Sequence, residues 1–175
     1  ADPVEGTALH PKPGSSKHVI EAPPQMTFFR EHHDDVMSLA LHPDRQTVAT
    51  GQMGAEPYVS VWNCQTRREK ARLRHPHGAR GVVACAFSQG AGRLLATVAT
   101  DNNHTVTVWD WAVARKLCEV YGYKGTPPEV FGVTWDPYLD NGEERFVTYG
   151  AAHIKVWHQT LVRGNIIWEP LALAW

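Results

Sequence analysis

The sequence predicts an all-β fold, a WD-repeat β-propeller, with three blades of an incomplete or larger propeller. Three observations predict it. Trp62, Trp109 and Trp157 recur at spacings of 47 and 48 residues. Each closes a β-branched run of one kind: Tyr58-Val59-Ser60-Val61-Trp62, Thr105-Val106-Thr107-Val108-Trp109 and His153-Ile154-Lys155-Val156-Trp157. An apolar strand ending in a turn travels with each Trp, at Leu41-His42-Pro43-Asp44, Phe87-Ser88-Gln89 and Trp135-Asp136-Pro137.

The elements follow in chain order. Residues 1–25 hold Pro3, Pro11, Pro13, Pro23 and Pro24. Proline removes backbone donors and fixes φ, so this stretch reads as an extended arm or linker. Residues 26–77 form the first blade, with 26–30 as a preceding outer strand. Its inner strand is Val36–Leu41, followed by 47–51, 58–62 and an outer strand at Glu69–Arg74. Residues 78–124 form the second blade, with strands at 81–87, 94–98, 105–109 and 116–121. Residues 125–175 form the third, with strands at Val130–Trp135, Arg145–Gly150, 153–157 and 166–168. β-Branched content and alternation fit the pleat of a strand whose two faces meet different neighbours.

Composition narrows the function classes. The 175 residues carry 17 basic and 18 acidic side chains, too even a balance for the footprint of a general nucleic-acid binder. No apolar run reaches the roughly 18 residues of a membrane span, and Ala1-Asp2-Pro3 opens no secretory signal. Cys64, Cys85 and Cys118 are odd in number and widely spaced in apolar contexts, which reads as buried free thiols in a reducing compartment.

Several local clusters invite a chemical reading. His32-His33-Asp34-Asp35 has metal-ligand residue types, but neighbours in extended chain point to opposite sides and do not converge on one ion. Gly122-Tyr123-Lys124-Gly125-Thr126 lacks the spacing of a phosphate loop. No nucleophile elbow or Cys/His signature is present, so no catalytic, cofactor or metal site is assigned and the protein reads as a non-enzyme. In WD repeats a loop His, a Ser or Thr, a turn Asp and the Trp share a buried hydrogen-bond network. The candidates are His33, Thr50 and Trp62 in the first blade, His77, Thr97, Asp101 and Trp109 in the second, and Thr148 and Trp157 in the third. Tyr123-Lys124-Gly125 stands where the third His belongs, so that network is expected to be incomplete. A basic stripe at Arg68, Lys70, Arg72 and Arg74, with Arg80 nearby, is the candidate partner-binding surface, although charged outer strands also serve to block edge pairing.

The segments Phe28-Phe29-Arg30-Glu31-His32-His33-Asp34-Asp35-Val36, Leu39-Ala40-Leu41-His42-Pro43-Asp44 and Val48-Ala49-Thr50-Gly51-Gln52 resemble the echinoderm microtubule-associated protein-like family, with its HELP motif and WD repeats. Val106-Thr107-Val108-Trp109-Asp110-Trp111 and Phe146-Val147-Thr148-Tyr149-Gly150 extend the resemblance, which covers about residues 26–160. It implies a non-catalytic scaffold that binds tubulin or microtubules alongside other axonemal or cytoskeletal proteins. It also implies a place in the cytoplasm and cytoskeleton, including the cilium or flagellar axoneme. No nucleic-acid or membrane partner is expected, and the remaining blades come from the same or a neighbouring chain. The alternative is a WD adaptor in a signalling or ubiquitin-related complex. Three blades leave two apolar sheet faces open, so isolated residues 1–175 are expected to be aggregation-prone or only partly folded.

Overall fold

The computed structural model describes residues 26–75, 78–123, 130–138 and 142–171. Twelve strands run in order: β1 (Val36–Leu41), β2 (Thr47–Gln52), β3 (Tyr58–Asn63), β4 (Glu69–Arg74), β5 (Val82–Phe87), β6 (Leu94–Ala99), β7 (Thr105–Asp110), β8 (Arg115–Tyr121), β9 (Val130–Trp135), β10 (Arg145–Gly150), β11 (His153–Val162) and β12 (Asn165–Pro170). Among the described residues, one 3-10 turn, at Trp111–Val113, interrupts them. Consecutive strands pair antiparallel into three four-stranded sheets, β1–β4, β5–β8 and β9–β12. The first strands, β1, β5 and β9, pack side by side, so they form the inner edge of the stack.

Burial explains why β2 and β6 carry no charged residue, whereas β10, more open, keeps Arg145 and an exposed Tyr149. All six residues of β2 and all six of β6 are buried, because both of their faces meet protein. Two cores result. Ala49, Val59, Val61 and Leu73 meet Val82, Phe87, Leu95 and Trp109 between the first two sheets. Val98, Val106 and Val108 meet Val133, Trp135, Phe146, Trp157 and Trp168 between the second and third. Polar ties cross both joints: Ser38 Oγ donates to the Val82 carbonyl at 2.9 Å, and Trp135 Nε1 donates to the Ala86 carbonyl at 2.8 Å. Gly51 is needed at the first joint, since a Cβ there would lie 2.4 Å from Ser38 Oγ and 2.8 Å from Val82 Cβ.

Each end of the stack keeps an apolar face. Val36, Leu39 and Leu41 alternate along the side of β1 turned away from the second sheet, with Leu39 69% exposed. Phe131, Tyr149 and Ile154 do the same on the far side of the third sheet, with Ile154 71% exposed. Two expectations differ from the structure. Residues 26–30 form no strand, because no described strand lies beside them to take their backbone groups. The third outer strand is longer than 166–168 and closes a ten-residue β11 through a two-residue turn at Arg163-Gly164. The arm at 1–25 lies outside the described residues.

Candidate functional site

Each sheet holds one indole against one threonine hydroxyl. Trp62 Nε1 donates to Thr50 Oγ1 at 3.0 Å, Trp109 Nε1 to Thr97 Oγ1 at 2.9 Å, and Trp157 Nε1 to Thr148 Oγ1 at 2.9 Å. The register places each pair on one face of a hairpin, so the strand pairing itself aims the groups at each other. The third partner differs in every sheet. In the first it is His32, not His33: His32 Nδ1 donates to Gln52 Oε1 at 2.9 Å, leaving Nε2 to accept from Thr50 Oγ1 at 2.6 Å. His33 is exposed and offers only its backbone N–H to Gln52, since neighbours in extended chain turn opposite ways. In the second sheet Thr97 Oγ1 donates to the Thr107 carbonyl at 3.3 Å. Asp101 does not join this network. It caps its own turn, accepting from Thr105 N at 2.7 Å and Thr105 Oγ1 at 2.6 Å. His77 lies outside the described residues.

The third network has a histidine where none was expected, although no Asp joins it among the described residues. His153 Nε2 lies 2.9 Å from Thr148 Oγ1, supplied by the first residue of β11 rather than by a loop. Burial first, then Lys155 and His104, hold the His153 ring below its usual pKa, which favours the neutral form that accepts from a hydroxyl. His75 is the other histidine that sequence reading passed over. It is 9% exposed, stands edge-on to Trp109 with centroids 5.7 Å apart, and neither ring nitrogen has a hydrogen-bond partner among the described residues.

Ahead of β1, the coil lies along the outer part of the first sheet. Phe29 stacks flat on Trp62 with centroids 4.2 Å apart and planes 4° from parallel. His32 stacks on Tyr58 at 5.3 Å, and the Tyr58 hydroxyl donates to the Glu31 carbonyl. This covers the tryptophan that no preceding described sheet covers.

The basic stripe is mostly occupied by the protein itself. Arg72 and Arg74 share one face of β4 with Glu69, but a bulge takes Lys70 out of that register and turns it to Thr47, so the expected stripe does not form. Arg72 forms a two-point bridge to Glu69 at 2.9 and 3.0 Å and lies 4.6 Å over the Tyr58 ring. Lys70 Nζ donates to Thr47 Oγ1 at 2.6 Å, and Arg74 reaches Glu56 at 3.5 Å. Arg80 lies beside the β2–β3 turn, at the same end of the sheets as Arg74, and donates to the Thr100 carbonyl at 3.2 Å. Among the described residues, and Arg163 of the third sheet aside, the guanidinium groups with no partner of any kind are those of Arg45, Arg67 and Arg68. The β1–β2 and β3–β4 turns put all three at one end of the first sheet, and Arg45 and Arg67 hold positive φ values of 59° and 58°.

The thiols are free, but only Cys85 is buried; Cys118 is half-buried and Cys64 is exposed. Burial pushes the Cys85 thiol up to about 11 and Cys118 to about 12, which keeps both protonated and unreactive at neutral pH. Among the described residues no three His, Cys, Asp or Glu side chains converge as metal ligands would.

Comparison with known proteins agrees with this geometry. The family profile described as the echinoderm microtubule-associated protein first β-propeller matches residues 25–168. The chain is 35% identical over 148 residues to the 77 kDa echinoderm microtubule-associated protein of Strongylocentrotus purpuratus, covering 79% of this chain and 21% of that protein. It is 34% identical over 135 residues to echinoderm microtubule-associated protein-like 1 of Homo sapiens, covering 72% and 16%. A third relative, echinoderm microtubule-associated protein-like 2 of Rattus norvegicus, is 34% identical over 144 residues, covering 77% and 21%. The chain thus spans at most about a fifth of the length of these relatives.

Proposed function

The chain belongs to the echinoderm microtubule-associated protein family, as part of its first β-propeller, and on that premise we propose that it is a non-catalytic scaffold segment of a microtubule-associated protein. The observation that carries the reading is the match across residues 25–168, with the repeated indole–hydroxyl pair in all three sheets it spans. Those pairs satisfy polar groups inside the sheets and so rigidify the platform that a binding surface needs.

The finer part of the proposal is contact with tubulin on the cytoskeleton, including the axoneme of cilia. Tubulin presents an acidic surface, and the free guanidinium groups of Arg45, Arg67 and Arg68 suit it. An exposed cation with no internal partner gives up no ion pair on binding, whereas Arg72 would first have to leave Glu69. The remaining blades of the propeller are placed in the same or a neighbouring chain, against the exposed faces of β1 and the third sheet.

Co-sedimentation with microtubules tests both levels, using the natural polypeptide that carries this segment. Pelleting that weakens with salt, and weakens further when Arg45, Arg67 and Arg68 are reversed together to Glu, is the expected result. Salt-independent pelleting, unchanged by the reversal, would sink the tubulin contact assigned to these arginines. No pelleting at all would sink the scaffold reading.

A further inference from the structure

The first and second sheets make similar turns with different residues. In the β1–β2 turn the Arg45 N–H donates to the His42 carbonyl at 2.9 Å, with Arg45 at φ 59°. In the β5–β6 turn the Gly92 N–H donates to the Gln89 carbonyl at 3.3 Å, with Gly92 at φ 62°. One backbone shape is thus given to glycine in one sheet and to arginine in the other. The β3–β4 turn repeats the pattern. Its Arg67 sits at φ 58° and donates to the Asn63 carbonyl at 2.7 Å, whereas the β7–β8 turn has Ala114 at φ 50°.

A positive φ crowds a Cβ against its own backbone, which glycine avoids. Turn chemistry alone would favour Gly or Asn at both places. Arg45 and Arg67 return nothing to the fold in exchange: both are exposed, and neither guanidinium has a partner among the described residues. Strain kept where the side chain adds no stability points to a role in contact.

The two turns are tied together. Thr47 on β2 pairs with Asn63 on β3, and the Cys64 N–H donates to the Gln46 carbonyl at 2.8 Å. Asn63 Oδ1 stiffens the second turn by accepting from the N–H groups of Gln65 and Thr66. The acids nearby are engaged elsewhere. Asp44 accepts from Gln46 N, Thr47 N and Thr47 Oγ1 inside its own turn. Glu69 holds Ser60 and Arg72, and Asp110 of the adjoining sheet is bridged to Arg115. Arg45, Arg67 and Arg68 against Asp44 leave this corner net positive.

We propose that Arg45 and Arg67 are the specificity-determining pair of this corner, held in strained, tied turns to grip neighbouring carboxylates of an acidic polypeptide, with Arg68 adding only charge. A guanidinium meets a carboxylate through two parallel N–H donors, so orientation counts as well as charge. Side chains rooted in fixed turns have less freedom to lose on binding. That the partner is a protein rests on the microtubule-associated reading above; the carboxylate chemistry rests on the turns.

Two assays on the natural polypeptide that carries this chain test it: microtubule co-sedimentation, and anisotropy of labelled hexaglutamate at low salt. Arg45→Gly with Arg67→Gly should weaken both by about tenfold, yet raise the thermal midpoint of this propeller by about 1–2 °C or more as the strain is relieved. Arg68→Gln with Arg163→Asn removes the same number of charges, and relieves the φ of 52° at Arg163, but should weaken binding by about twofold or less. Equal weakening by the two pairs would reduce the effect to net charge and overturn the proposal. So would a midpoint that stays level or falls with the glycines, or no hexaglutamate binding by the unaltered protein. Displacement by oligothymidine as effective as by unlabelled hexaglutamate would mark a general polyanion surface and overturn it too. The two readings separate cleanly. Hexaglutamate binding that depends on the pair, with no pelleting at all, would remove the microtubule contact and keep this proposal. Pelleting lost on reversal of all three arginines to Glu but kept by the glycine pair would do the opposite.

Discussion

His42 and Trp111 come from different sheets yet converge on one acceptor, the carbonyl of Gly92: His42 Nε2 lies 3.2 Å from it and Trp111 Nε1 2.7 Å. The Asp44 N–H donates to His42 Nδ1 at 3.0 Å, and the Asp44 carboxylate lies 3.1 Å from the same nitrogen. Gly92 has φ of 62°, and a Cβ there would fall 2.2 Å from His42 Nε2. Gly92→Ala should therefore destabilise the protein by about 2–4 kcal/mol, from backbone strain and the displaced ring together. Chemical denaturation of the single and double variants checks this. In a cycle with His42→Ala the two costs should fall short of additive by about 1 kcal/mol or more.

The hydroxyl–indole pairs give a graded prediction. Thr97→Val strands the Trp109 N–H and should cost about 1–2 kcal/mol. Thr148→Val strands both Trp157 and His153 and should cost about 2–3 kcal/mol. Equal losses in denaturant melts would show that His153 draws nothing from the hydroxyl.

Acid stability should depend on His75. Burial lowers its pKa from 6.5 to about 4, against the opposing pull of Glu119 and Asp101 and with help from Lys116. The unfolded chain then binds a proton that the folded chain refuses. Stability present above pH 6.5 is lost as the pH falls toward 4, by up to roughly 3 kcal/mol. His75→Leu should flatten that part of the stability–pH curve, leaving the smaller contribution of His153, whose shift has the same sign.

Arginines on the first sheet should divide by readout. Arg72→Ala loses the Glu69 bridge and the cover over Tyr58, and should lower stability by about 1 kcal/mol. Reversing Arg45, Arg67 and Arg68 should leave the melting temperature within about a degree, since exposed unpaired charges carry little stability. Any effect of that reversal on pelleting is then an effect on contact.

Isolated residues 1–175 should self-associate with rising concentration in sedimentation velocity, driven by the end faces at Leu39 and Ile154. Leu39→Glu with Ile154→Glu should return the species toward monomer. A wild-type segment that stays monomeric and melts sharply would contradict this.

The strands were legible because a period of two and a Trp every 47 or 48 residues survive in the sequence regardless of what packs outside them. Thr50, Thr97 and Thr148 were legible for the same reason: strand register ties each to its Trp. The histidines were not. His32 and His33 differ only in which way a coil turns, and His153 enters from inside a strand where a loop residue was expected. The stripe on β4 was readable as charge, but its engagement by Glu69, Glu56 and the Thr47 hydroxyl depends on partners 3 to 23 residues away. Only the folded sheet brings them together.

The separation between Thr and Trp bears on how the chain acquires its structure during synthesis. Partners lie twelve residues apart in the first two sheets and nine apart in the third, always within one hairpin. Hairpins form in about 1–10 μs, far faster than the ribosome adds the next residue. Each latch therefore closes as soon as its own hairpin has emerged. The third sheet, whose histidine comes from that same hairpin, finishes its latch without upstream help, while the first must also recruit a ring from eighteen residues before its threonine.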